Sequence, residues 1–195
     1  MGTLTLQMQT SVDGFVSAQR PALRWQVWDW GPDWSWDDEL QRDYNTGFEQ
    51  VDTVLLSRKM AEEGYVDHWT RTAEAHPHDP RYAFARTIAK AFKVVVTSRP
   101  MESRWPRTTI ATGGLVTEVT ALTRTAARVI CFGGAGFASA LVANGLVDEY
   151  QFFVNPTAVG AGSTIFASAV DGLRLQPIAT KVYDCGIVVN RFRAS

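Results

Sequence analysis

Arg128-Val-Ile-Cys-Phe-Gly-Gly-Ala-Gly-Phe137 decides the fold class: an apolar run, Val129 to Phe132, ends in Gly133-Gly134 and opens straight into a helix. Glycine admits positive φ and carries no side chain. The amides of Gly134, Ala135 and Gly136 can therefore point at an anion that also meets the positive end of the helix. The same glycines also suit a tight turn that only packs a helix close to its strand, so the cluster alone leaves phosphate binding and close packing both open.

Upstream, Leu115, Val119, Leu122 and Ala126 predict a helix, and Lys93 to Thr97, with three consecutive valines, predicts a strand covered on both faces. Asp79-Pro80 predicts a helix start, with the aspartate as cap and the proline at the first position. Ala85, Ile88 and Phe92 then mark one face. Thr53 to Leu56 is a short apolar strand, and residues 37–51 place Leu40, Tyr44, Phe48 and Val51 at helical spacing. Residues 3–9 alternate Leu4, Leu6 and Met8 with Thr3, Thr5 and Gln7 before Asp13-Gly14 turns the chain. Downstream, the helix after the glycines stops near Asn144-Gly145, and Tyr150 to Val154 makes a strand. Segments 173–181 and 186–192 then pair antiparallel about Asp184-Cys185-Gly186. The expectation is one α/β domain over residues 1–195, with a mostly parallel central sheet flanked by helices and a C-terminal antiparallel hairpin.

A chain of 195 residues, 46% hydrophobic, can bury a sizeable core. Its 19 basic and 20 acidic residues leave no field to hold nucleic acid or an anionic membrane, which points to a small-molecule ligand. Cys131 and Cys185 form neither a disulfide framework nor a metal site, so the expected setting is a reducing cytoplasm. No run approaches the roughly 20 apolar residues of a membrane span, and the first residues lack the layout of a signal peptide. His68, His76 and His78 lie in a polar stretch without zinc-ligand spacing and read as loop residues; no metal is expected.

In open α/β sheets, ligands bind beyond the carboxyl ends of the strands. Read together, those ends are Thr10 to Gly14, Ser57-Arg58-Lys59, Thr97-Ser98-Arg99, Gly133 to Gly136 and Asn155 to Gly162. The second and third join hydroxyls to cations: Arg58 and Arg99 offer planar forks for a phosphate, while Ser57, Thr97 and Ser98 offer donors. An arginine at a strand end is more often solvated, but two on one sheet edge beside a glycine turn favour an anionic ligand.

These segments resemble the dihydrofolate-reductase-like fold, and within it the reductase domain of riboflavin-biosynthesis pyrimidine reductases (RibD C-terminal type) and its stand-alone relatives. The carriers are Ser11-Val-Asp-Gly-Phe-Val16, Asp52-Thr-Val-Leu-Leu-Ser-Arg-Lys59, Val94-Val-Val-Thr-Ser-Arg-Pro100 and Gly133-Gly-Ala-Gly-Phe137. Gly145-Leu-Val-Asp-Glu-Tyr150 and Asn155-Pro156 through Val159-Gly-Ala-Gly162 extend the likeness over nearly the whole chain. The resemblance implies an NADPH-dependent reductase, often a homodimer. It places the adenosine 2′-phosphate by Ser57, Arg58, Lys59, Thr97, Ser98 and Arg99, and the pyrophosphate by Gly133, Gly134, Ala135, Gly136 and Phe137. The nicotinamide would lie beside the backbone of Val12, Gly14 and Val16.

Hydride delivery to a carbon–nitrogen double bond needs an accompanying proton. Asp43 is the candidate donor: on the 37–51 helix it falls about 60° from Leu40 and 100° from Tyr44, and the resembled family carries a substrate-binding aspartate on this helix. The alternative is a solvated aspartate. Five tryptophans, Trp25, Trp28, Trp30, Trp34 and Trp36, crowd the segment before it, either as a lid over a flat substrate or as a satellite core or interface. Met8, Thr10, Trp28, Trp30 and Tyr44 are the expected substrate contacts. Phe132 stands where the riboflavin enzymes usually carry a glutamate, and no deaminase domain is present, so a small heteroaromatic or imine substrate is expected rather than a ribosylaminopyrimidine phosphate. Two alternatives stay open: a deazaflavin- or flavin-dependent reductase, and a ligand-binding protein without turnover.

Overall fold

β1 (Thr3–Ser11) is the strand around which the sheet is built, since it pairs in parallel on both sides, Leu6 opposite Cys131 of one neighbour and Gln9 opposite Phe153 of the other. The structure, a computed structural model, describes residues 2–20, 25–26, 35–168 and 172–195. Along the chain, β2 (Ser17–Ala18), α1 (Asp38–Phe48), β3 (Thr53–Ser57), α2 (Arg58–Glu62), α3 (Tyr65–Ala75) and α4 (Ala83–Lys90) follow, the last entered through a 3-10 turn at Pro80–Tyr82. Then come β4 (Phe92–Val96), β5 (Thr108–Ala111), α5 (Leu115–Thr125), β6 (Arg128–Cys131), α6 (Ala135–Ala143), β7 (Glu149–Asn155), β8 (Gly162–Ser163), β9 (Leu175–Val182) and β10 (Val188–Ala194). Among the described residues the main sheet has eight strands in the order β5-β4-β3-β6-β1-β7-β10-β9, while β2 and β8 pair apart. All neighbours from β5 to β7 are parallel, and β10 runs antiparallel to both β7 and β9. The expected α/β class, parallel sheet and closing hairpin are all present.

Alternation along β1 sends Leu4, Leu6 and Met8 to one face, where α5 and α6 cover them with Val119, Ala138 and Leu141. On the other face α3 and α4 bury Val66, Trp69, Phe84 and Ile88 over Val54, Leu56 and Ile130. Beside them Trp36 and Leu40 cover Phe153 and Val189. Two readings change here. Phe92 opens β4 and is more than half exposed instead of lining a helix. His68 belongs to α3, its ring against Trp69, whereas His76, just past the helix with its ring 3.9 Å from Tyr82, and His78 are loop residues as expected.

The amino-terminal edge of the sheet is closed by side chains bonded to backbone. Asp52 Oδ2 accepts the amides of Ala127 and Arg128 at 2.8 and 3.0 Å, locking β3 to the entry of β6. Asp148 Oδ2 accepts Leu4 N at 2.8 Å between β7 and β1. Lys93, buried in β4, donates to Ala89 O at the end of α4, where a cation meets the negative end of the helix.

Candidate functional site

β3 and β4 lie side by side with Ser57 opposite Val96, so the clusters that follow them face one groove. Ser57, Arg58, Lys59, Thr97, Ser98 and Arg99 line it, with Glu62 at one end, around a volume of about 420 Å³. Some of these groups are already engaged. Ser57 Oγ accepts Met60 N and caps α2; Thr97 Oγ1 donates to Arg99 O and accepts Arg99 N. Arg58 donates to Glu62 Oε1 at 2.7 Å and Pro100 O at 3.3 Å, and Lys59 pairs loosely with Glu63. The guanidinium of Arg99 bonds to none of the described residues and is exposed, as is Ser98.

One strand further along, β6 ends in the glycine turn; with strands about 5 Å apart, the turn lies about 10 Å from the end of β4. Gly133 has φ +94°, and a Cβ there would come 2.9 Å from the Met8 side chain, so this glycine is needed for packing. Its peptide to Gly134 is cis. Gly134 opens α6 without a side-chain cap, and a Cβ on Gly134 or Gly136 would meet nothing within 4 Å. These two positions leave open space over the first-turn amides. Ala135 and Phe137 turn their side chains into the core on the α5–α6 face.

The segment after β1 is strapped to the loop after β7. Asp13 accepts Val159 N and Gly160 N, the latter at 2.7 Å, and Ser11 Oγ at 2.6 Å; these bonds, the Ser11 hydroxyl first, hold its carboxyl below the usual 3.8. The N–H groups of Val12, Gly14 and Val16 bond to Thr157 O, Ser11 O and Ser163 O. With these three amides spent, it is the carbonyls of Val12, Gly14 and Val16 that can meet a ligand, Val16 O already accepting Gln26 Nε2 at 3.0 Å.

Asp43 does not face the cleft. It points at the closing hairpin, where Lys181 Nζ lies 2.6 Å from both Asp43 Oδ2 and Glu39 Oε1 and Tyr183 OH donates to Asp43 Oδ2 at 2.8 Å. The Lys181 bond, with that from Tyr183, outweighs burial and holds the carboxyl below its usual value. A carboxylate so held is a tether, not a proton donor. The helix-wheel margin was right, but the margin faces β9.

The expected substrate contacts fall on opposite faces. Met8 and Thr10 point to the α5–α6 side, whereas Tyr44 packs on Phe153 on the α1 side. The β1 side chains on Tyr44's side are Gln7 and Gln9; Gln7 Nε2 donates to Gln151 Oε1 at 3.0 Å. Trp28 and Trp30, with Trp34, lie outside the described residues. Trp36 is core: its ring stacks on Phe153 at 5.2 Å. Phe132 stacks on Phe48 at 5.8 Å and touches Tyr65, which fills the place of the absent glutamate with packing. Burial raises the phenols of Tyr44 and Tyr65, the latter also through Tyr44 nearby, so both stay protonated. Gln41, Tyr65 and the Gln7–Gln151 pair were missed by sequence reasoning; no motif marks a buried amide.

The RibD C-terminal domain family matches residues 2–189, nearly the full chain. The protein belongs to that family. Among curated proteins it is 23% identical over 186 residues to the uncharacterized protein YyaP of Bacillus subtilis (strain 168), across 95% of this chain and 91% of the relative. A crystal structure from Shewanella sp. PV-4, provisionally named for riboflavin biosynthesis, superposes with a TM-score of 0.68 at 16% identity over 99% of both chains. Dihydrofolate reductase from Enterococcus faecalis, solved with NADP(H), gives a TM-score of 0.56 at 12% identity over 100% of this chain and 97% of that one. Family membership rests on the sequence match, and the two structures establish the shared fold. Among the described residues no cluster of ligating side chains could hold a metal, and no helix is long and apolar enough to cross a membrane.

Proposed function

We propose that this protein is an NADPH-dependent reductase that delivers hydride to a small pyrimidine-like or imine-bearing heteroaromatic substrate. The observation that carries the reading is the facing of two hydroxyl-and-cation clusters across one groove, beside a glycine turn with open amides. The donor set fits a dinucleotide. Arg99 and Ser98 would hold the 2′-phosphate, with Ser57, Arg58, Lys59 and Thr97 as the groove's walls. Gly134, Ala135 and Gly136 would hold the pyrophosphate where no Cβ intrudes, and Gly133 and Phe137 shape that turn. Val12, Gly14 and Val16 would meet the carboxamide of the nicotinamide through carbonyls. The reduced nicotinamide, when bound, supplies the hydride. Asp13, Asp37 and Asp43 are each engaged by amides, hydroxyls or Lys181, so the accompanying proton is assigned to water.

Both cysteines are free thiols, in keeping with a reducing cytoplasm. β9, exposed along nearly its whole length at the sheet edge, is the surface we assign to a homodimer.

The test is quenching of intrinsic tryptophan fluorescence by NADPH, NADH and a deazaflavin in parallel. NADPH-selective quenching is expected, and Arg99→Ala should weaken NADPH by about 1.5–3 kcal/mol while leaving NADH almost unchanged. Equal loss for both nucleotides would remove Arg99 from the 2′-phosphate. Quenching by the deazaflavin alone would change the cofactor.

A further inference from the structure

We infer that Gln41 is a specificity-determining residue of the substrate site, and that its Oε1 selects an uncharged ring presenting an N–H donor. The inference rests on the reductase reading above. Gln41 is buried, and its Nε2 donates to Trp36 O at 2.7 Å, which fixes the orientation of the amide. Its Oε1 is then a buried acceptor with no partner among the described residues, and such an atom in a native fold calls for one.

Position supplies the second step. At 100° per residue, Gln41 lies about 40° from Asn45 and 60° from Tyr44. Asn45 is bonded at the start of α4, accepting Phe84 N at 2.7 Å and donating to Arg81 O. Gln41 sits one turn, about 6 Å, nearer the carboxyl edge, past the point where α4 begins. It shares a stripe of α1 with Phe48, two turns further along, which stacks on Phe132 just after β6; Tyr65 also rests on Phe132, and Tyr44 adds to the raised titration of Tyr65. Three of the four carboxylates of α1 and its cap are turned away: Glu39 and Asp43 to Lys181, Asp37 to the amides of Leu40 and Cys185. Among the described residues this leaves the amide oxygen of Gln41 as a buried acceptor, which complements the N–H of a neutral lactam or amino-substituted ring and offers a charged ring no counter-charge.

The test titrates the protein, with and without saturating NADPH, with 6-aminouracil and with 1,3-dimethyl-6-aminouracil, which lacks the ring N–H donors. Wild type is expected to bind the N–H ring about tenfold more tightly. Gln41→Met, which keeps the volume but has no acceptor oxygen, should abolish the preference. Gln41→Glu, which restores an acceptor, should recover it, with NADPH affinity unchanged in both. A preference that survives Gln41→Met, or a wild type that binds both rings alike or neither, would overturn the inference and leave the glutamine a structural residue. Loss of NADPH binding by wild type would instead strike the reductase reading, and the ring comparison without NADPH still decides this one.

Discussion

The two edges of the central sheet spend their polar groups differently. At the amino-terminal edge three side chains close on backbone: Asp52 on Ala127 and Arg128, Asp148 on Leu4, Lys93 on Ala89. At the carboxyl-terminal edge three aspartates strap loops together, yet the Arg99 guanidinium and the amides under Gly134 and Gly136 stay open. The same strands feed both edges, so strand formation does not explain the contrast. An edge whose donors are spent on its own backbone holds the fold; an edge that leaves donors unspent is where a ligand can contribute binding energy.

Asp52→Ala would break this contrast most forcefully. It strips a charged acceptor from two amides, and such bonds contribute about 1.5–3 kcal/mol each. Partial exposure brings the expected loss to about 3 kcal/mol, or roughly 6–12 °C in Tm for a chain of this length. Nucleotide affinity of the folded fraction should not change. A variant that kept its melting temperature but lost NADPH would mean that the two edges are not separate in role.

The glycine turn allows a finer cut. Gly133→Ala puts a Cβ at φ +94° and against Met8, and should cost about 2 kcal/mol of stability. Gly136→Ala has the opposite sign: the position is helical and the space above it is empty, so alanine should add up to about 1 kcal/mol through helix propensity. The new methyl would stand over the amides, and NADPH affinity should fall. A thermal melt and a nucleotide titration on each variant check both signs. Gain of stability with unchanged affinity would reduce the whole turn to packing.

Elements with a strong apolar period were legible in the sequence: Val129–Phe132, the three valines of β4, and the Leu115–Ala126 stripe all stand where expected. β5 was not, because Thr108 and Thr109 give a sheet-edge strand no apolar run. α3 was missed although Val66 and Trp69 have helical spacing, since His68 was read with His76 and His78 as part of a polar loop. In the candidate site, the groove clusters and the glycine turn could be picked out because they coincide at the carboxyl ends of neighbouring parallel strands, although each alone has a bland reading. Parity could not be assigned. Alternation in β1 separates Met8 from Gln7, but which row faces α1 depends on how the helices cover the sheet, and Gln7 is buried only because Gln151 completes it across the strand pair. Asp43 failed for a related reason: Lys181, its partner, lies far along the chain, beyond the reach of any helix wheel.

The smallest expected effect concerns pH, and it separates the straps of the carboxyl edge from the rest. Asp13 is held below the ordinary 3.8 by the Ser11 hydroxyl and the Gly160 amide, and Asp43 by Lys181 and Tyr183. Burial raises Asp37, but the amides of Leu40 and Cys185 outweigh it. A carboxyl depressed in the folded state contributes stability that is complete above its unfolded value and is lost as pH falls through the folded one. Lys181 shifts the other way, raised first by Asp43 and then by Glu39. Its contribution is complete below 10.5 and fades only as pH climbs through the raised value. The straps should therefore loosen on the acid side of 3.8 and hold through the alkaline range. Hydrogen exchange, corrected for intrinsic rate, reads this at the Val159, Gly160 and Cys185 amides that the aspartates accept. Protection should fall at all three as pH drops below 3.8, and Asp13→Asn should make Val159 and Gly160 insensitive while leaving Cys185 responsive. A common response of all three in that variant would show global unfolding in place of separate straps.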